Sequence, residues 1–125
     1  MARILIVEDN DILSNAYGLV LTHHGHVVES AHDGMKGLAQ AKTFYPELIL
    51  LDMLMPNLDG IGFLKAYDCI RKHPDVKIVL LTNINEESLV TQALDLGAQQ
   101  YVLKAELAPK ELVALVDRLL EKKRE

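Results

Sequence analysis

The stretch Leu48-Ile49-Leu50-Leu51-Asp52-Met53-Leu54-Met55-Pro56-Asn57-Leu58-Asp59-Gly60 decides the fold. Four consecutive aliphatic residues run into a single carboxylate, and Pro56 and Gly60 then stop the strand. A short, wholly apolar run bounded by turn residues reads as a strand covered on both faces. Pro46 and Pro56 leave too little room between them for a helix. Asp52 thus stands at the mouth of a buried strand, where an ionised carboxylate is costly unless something ionic uses it. A helix cap or a turn is the commoner role for such an aspartate, so the decision falls to the rest of the chain.

Working outward, Arg3-Ile4-Leu5-Ile6-Val7 repeats the pattern and ends in Glu8-Asp9-Asn10. Leu13, Ala16, Tyr17, Val20 and Leu21 then recur at helical spacing, with Gly25 placed as a left-handed stop. Val27-Val28-Glu29-Ser30-Ala31 is a more polar strand, and Asp33-Gly34 turns into a helix through Leu38, Ala41 and Phe44, ended by Pro46. Beyond the central strand, Ile61, Leu64, Ala66 and Ile70 mark a third helix closed by His73-Pro74. Lys77-Ile78-Val79-Leu80-Leu81-Thr82 is a third strong strand, Glu86 to Leu96 is helical with Gly97 as its stop, and Gln100 to Lys104 is a short fifth strand. Pro109 suits the first turn of a last helix, whose stripe is Leu112, Leu115, Val116 and Leu119.

Unbroken alternation of strand and helix predicts an α/β fold: a doubly wound (βα)₅ parallel sheet with helices on both faces, a three-layer sandwich. The three fully apolar strands belong inside and the polar second and short fifth at the edges. That favours the order 2-1-3-4-5 of flavodoxin-like proteins. All strand C-termini then open on one rim, which gathers Glu8, Asp9, Asp52, Thr82 and Lys104 beside the crevice between the first and third strands.

Composition narrows the function classes. A length of 125 residues with half of them hydrophobic makes one domain with a real core, not a disordered chain. A net charge of -5 argues against a nucleic-acid surface, and the basic run Lys122-Lys123-Arg124 is expected to solvate a helix end. Cys69 is the sole cysteine, which fits a reducing cytoplasm. The apolar run after Met1-Ala2-Arg3 is too short for a signal segment or a membrane span.

Carboxylates gathered in one cleft raise one another's pKa, and a divalent cation relieves the repulsion. Clustered carboxylate oxygens suit magnesium rather than zinc. A carboxylate beside magnesium can attack phosphorus to give an aspartyl phosphate. Lys104 would offer a mobile charge to the phosphoryl oxygens and Thr82 a hydroxyl donor. There is no glycine-rich phosphate cradle, so the site is suited to receive a phosphoryl group rather than to hold a nucleotide.

Over nearly its whole length the chain resembles the receiver domain of bacterial two-component response regulators. The matching residues are Glu8-Asp9, Asp52, Met55-Pro56, Asp59-Gly60, Thr82, Gly97-Ala98, Tyr101 and Lys104, each in order at its own strand end or helix stop. The resemblance implies that Asp52 takes phosphate from a sensor histidine kinase or a phosphotransfer protein. It also implies that Asp9, Asp52 and the Leu54 backbone carbonyl ligate Mg²⁺, that Glu8 acts largely through water, and that Thr82 and Lys104 bind the phosphoryl oxygens. Thr82 and Tyr101 would form the switch, passing the signal through the face of the fourth helix, fifth strand and fifth helix to a downstream protein or output domain, or to a phosphorylation-linked homodimer. Residues 1–125 would be a single receiver domain, free-standing or excised from a longer protein. At most it would phosphorylate itself from small donors and slowly dephosphorylate. The competing class is a magnesium phosphohydrolase working through an aspartyl phosphate, but Met53 and Leu54 follow the nucleophile where a second acid is needed, and no capping segment exists. A flavin binder lacks its phosphate loop after the first strand.

Two positions depart from the family pattern. Ala105 follows Lys104 where the family usually has proline, often after a cis peptide bond. Asn83 follows the switch threonine where a small residue usually controls access to the acceptor, and it is expected to slow phosphorylation or hydrolysis, or to hydrogen-bond across the site. Other residues have plainer readings. His23, His24 and His26 suggest a metal cluster but suit a helix C-terminus as well. His32 and His73 are expected in solvent-facing turns and Cys69 partly buried. Val113 and Leu120 lie off the core stripe of the last helix, which marks them as candidate partner contacts.

Overall fold

The computed structural model describes residues 2–83 and 87–124. The order is β1 (Arg3–Val7), α1 (Asp11–His23), β2 (Val27–Ala31), α2 (Gly34–Phe44), β3 (Leu48–Asp52), α3 (Gly60–Tyr67), α4 (Cys69–Lys72), β4 (Lys77–Thr82), α5 (Glu87–Asp95), β5 (Gln100–Leu103), a 3₁₀ turn (Lys104–Glu106) and α6 (Pro109–Arg124). The start expected for the fourth predicted helix, at Glu86, lies outside the described residues, as do the side chains of Lys122, Lys123 and Arg124.

All strand pairs are parallel, and the five-stranded sheet runs β2-β1-β3-β4-β5, the flavodoxin-like order expected. Successive strand residues point to opposite faces, so each apolar strand feeds two cores. Ile4, Ile6, Leu48, Leu50, Val79 and Leu81 pack with Tyr17 and Leu21 of α1 and Leu112 and Val116 of α6. Leu5, Val7, Ile49, Leu51, Ile78 and Leu80 pack with Phe44, Phe63, Leu64 and Ala93 from α2, α3 and α5. Leu48 to Leu51 are fully buried, each contributing about 1.5–3 kcal/mol. Asn10, Asp33 and Asp59 cap α1, α2 and α3 by accepting the backbone N–H of Leu13, Lys36 and Gly62. Each cap stabilises its helix by about 1 kcal/mol.

Three expectations fail. The helix read through Ile61, Leu64, Ala66 and Ile70 is two helices, broken at Asp68, which takes a left-handed conformation at φ 52°. The break turns the chain so that Phe63, Leu64, Tyr67 and Cys69 fill the core while Ala66 and Ile70 face solvent. Val113 and Leu120 are not partner-facing: both are buried in the α1–α6 core, which takes in a wider stripe of α6 than Leu112, Leu115, Val116 and Leu119 alone. His73 is only partly exposed, since its ring stacks on Tyr67 at 4.1 Å.

The histidines behave as structural groups. His23 and His24 are exposed, whereas His26 is buried and its Nδ1 accepts the Ala2 N–H at 3.1 Å. Burial holds His26 below the ordinary 6.5. Below that value the unfolded chain takes up a proton that the folded His26 refuses until lower pH, so the unfolded state binds more protons and stability falls as pH drops through the window. Denaturation of wild type and His26→Gln at about pH 7.5 and about pH 5 is expected to show the smaller loss in the variant. Equal losses would rule this out.

Candidate functional site

The register of the sheet assembles the site. Val7 lies beside Leu51, Asp52 beside Leu81 and Thr82 beside Leu103. The residues that leave β1, β3, β4 and β5 therefore share one rim. Glu8, Asp9, Asn10, Asp52, Leu54, Thr82, Asn83 and Lys104 line a cleft of about 260 Å³ there. Carboxylate oxygens of Glu8, Asp9 and Asp52 lie within 4.8 Å of one another, the one such cluster of potential metal ligands among the described residues. Glu8, Asp52 and Thr82 are buried, while Asp9 and Asn83 are exposed.

Lys104 Nζ bridges the two buried acids, 2.6 Å from Glu8 Oε1 and 3.0 Å from Asp52 Oδ1. The Asn10 N–H donates to Glu8 Oε2 at 3.0 Å. Burial drives the Asp52 carboxyl up to about 7; Lys104 opposes this and the Glu8 charge adds to it. Burial alone would lower the Lys104 ammonium, but its hydrogen bonds to Glu8 and Asp52 outweigh that and raise it. Three carboxylates thus face one ammonium, and the residual negative charge is carried wholly by oxygen donors. That donor set fits a hard divalent cation such as Mg²⁺: Asp9 and Asp52 would hold it, with the Leu54 carbonyl and with Glu8 behind.

All five residues expected at the rim, Glu8, Asp9, Asp52, Thr82 and Lys104, line the cleft. The switch candidate Tyr101 lies outside it, exposed on β5, lining a separate depression with Glu87, Val90 and Thr91. The Lys104–Ala105 peptide is trans and opens the 3₁₀ turn. Tyr17 is a neighbour of the site that its place in the sequence does not signal. It is buried, with a hydroxyl that has no hydrogen-bond partner among the described residues, and Lys104 and Glu8 both act on it electrostatically. In sequence it is an ordinary member of an apolar stripe, so nothing there signals its place.

A family model described as the response regulator receiver domain matches residues 4–117. Protein RcaC of Microchaete diplosiphon is 38% identical over 120 residues, 96% of this chain and 18% of its own length. Response regulator ArlR of Staphylococcus aureus is 32% identical over 122 residues, 98% of this chain and 54% of its own length. The chain therefore spans about half or less of these curated relatives. The crystal structure of a CheY-like response regulator receiver domain protein from Methanospirillum hungatei JF-1 superposes with a TM-score of 0.91 at 26% identity, covering 99% of this chain and 97% of that one.

Proposed function

The chain belongs to the response regulator receiver domain family, phosphoacceptors of two-component signalling, and from that premise we propose that Asp52 receives the phosphoryl group from a histidine kinase or phosphotransfer protein. The observation that carries this reading is the buried Asp52 carboxylate, held by Lys104 at 3.0 Å at the floor of an acidic cleft. An Asp52 oxygen attacks phosphorus, the P–O bond forms as the P–N bond to the donor imidazole breaks, and the imidazole leaves with its electron pair. Magnesium, when bound, supplies positive charge that keeps the acids ionised and stabilises the phosphoryl oxygens. Lys104 exchanges its carboxylate partners for a phosphoryl oxygen, and the Thr82 hydroxyl donates to another. Drawing Thr82 inward frees space for Tyr101, so the face of α5, β5 and α6 changes shape toward a partner, an output domain or a second copy.

The chain works as one receiver unit, in the cytoplasm where such kinases deliver phosphate. No helix among the described residues is long and apolar enough to cross a membrane. Incubation with acetyl phosphate, read by intact mass, is expected to add one phosphoryl group with Mg²⁺ and none with a chelator. Steady turnover of small phosphoesters would instead make the protein a phosphohydrolase.

Asn83 is exposed and lines the same cleft as Asp52, and it acts there as a control on access to the acceptor. Asn83→Ala is expected to speed adduct formation or loss by about two- to tenfold, the effect of removing an obstacle worth about 1 kcal/mol. Equal time courses in wild type and variant would show that Asn83 has no part in access.

A further inference from the structure

The Leu54 carbonyl is the one group in the proposed cation site that belongs to the backbone. It can be aimed only by fixing the loop between β3 and α3. Within that loop Gly60 N–H donates to Met53 O at 2.8 Å and Leu58 N–H to Pro56 O at 2.7 Å. Neither bond ties the loop's tip to the rest of the molecule. The tip is anchored elsewhere, at the corner between β2 and α2. Asn57 Nδ2 donates to Asp33 Oδ2 at 3.0 Å, and the other Asp33 oxygen accepts the Lys36 N–H at 2.8 Å. Next to Asp33, Gly34 lies so close to Leu58 that a Cβ would collide with the Leu58 carbonyl oxygen. The loop is thus clamped to the corner at two adjoining points, one polar and one steric.

The chemistry of each partner suits a fixed anchor. Asn57 is left-handed at φ 68°, a conformation glycine adopts without cost, so the amide is what asparagine adds there. Asp33 is buried, and the Lys36 N–H and then the Asn57 amide hold its carboxyl below the usual range. It therefore stays an acceptor for both donors.

We propose that Asn57 is a positioning residue for the acidic site: its hydrogen bond to Asp33 holds the loop so that the Leu54 carbonyl faces the cation. This rests on the receiver reading above. Outer partners that orient metal ligands typically change metal affinity about 10–100-fold, and one acting through a loop sits at the low end. Two variants isolate the bond. Asn57→Gly keeps the left-handed backbone unstrained and removes the amide. Asp33→Ser keeps a side-chain cap for α2 but is too short to reach Asn57.

The test titrates MgCl₂ into each protein without any phosphodonor, following backbone amide NMR shifts, with thermal midpoints measured alongside. Each single variant is expected to bind Mg²⁺ about five- to tenfold more weakly, with displaced Leu54 and Met55 amides, and the double variant no more weakly than either single. Wild-type affinity in both variants, whatever their midpoints, would make the bond purely structural and overturn the proposal. Multiplying losses in the double variant would overturn it too, since the two residues would then act separately. A wild-type protein whose Asp52 and Leu54 amides ignore Mg²⁺ sinks the receiver reading itself, a distinguishable failure.

Discussion

Asp52→Asn is expected to take up no phosphoryl group from acetyl phosphate and Mg²⁺ under conditions that label the wild type. The amide offers no anionic oxygen to phosphorus, and the exposed Asp9 does not share the Lys104 contact that orients Asp52. The same variant is expected to be more stable than wild type without metal at neutral pH. Asp52 titrates near 7 in the fold against an ordinary 3.8. The folded protein therefore binds the extra proton, and the contribution of Asp52 to stability is fully present below 3.8 and is lost as pH rises through about 7. Asparagine removes that loss. Denaturant midpoints with a chelator at neutral pH measure it, and a midpoint at or below wild type would contradict the account of burial and charge. An adduct that persisted on the variant would move the acceptor elsewhere.

Lys104→Ala has the second large effect. Its ammonium is the only cation bridging Glu8 and Asp52 among the described ion pairs, and removing it leaves two buried carboxylates facing each other. Breaking a buried pair from one side costs about 3–5 kcal/mol. Two remedies should work if charge is the cause. Lower pH lets one acid take a proton, so the deficit shrinks between about pH 7 and about pH 5. Mg²⁺ replaces the missing charge and should stabilise the variant more than it stabilises wild type. Phosphoryl transfer stays impaired even with Mg²⁺, because the metal does not restore the donor to the phosphoryl oxygens. A metal-free midpoint equal to wild type would show that the Lys104 ion pairs with Glu8 and Asp52 contribute nothing to stability.

The sheet order was legible because polarity sorts strands. Val27 to Ala31 carries Glu29 and Ser30 and lies at an edge, while Leu48 to Leu51 has no polar atom to expose and lies inside. Once that order stands, the strand ends bring Glu8, Asp9, Asp52, Thr82 and Lys104 to one rim without further information. What sequence periodicity missed depends on single dihedrals or on contacts distant in the chain. Nothing in Tyr67-Asp68-Cys69 announces that Asp68 turns left-handed, so the helical spacing reads on to Ile70, which is exposed. Val113 and Leu120 looked spare on a narrow stripe and were claimed by a wider one. The Asn57–Asp33 bond spans 24 residues and joins two side chains that each have an ordinary turn or cap role. The trans Lys104–Ala105 bond agrees with alanine's intrinsic preference.

Whether the acidic cleft exists to place a phosphoryl group on Asp52 is tested most directly by mapping the bond. The protein is labelled with acetyl phosphate and Mg²⁺, reduced with borohydride to convert an acyl phosphate to homoserine, and digested for peptide mass spectrometry. The expected result is homoserine at position 52 alone, absent when Mg²⁺ is chelated. Homoserine at another aspartate, or none despite a phosphoryl adduct, would contradict it.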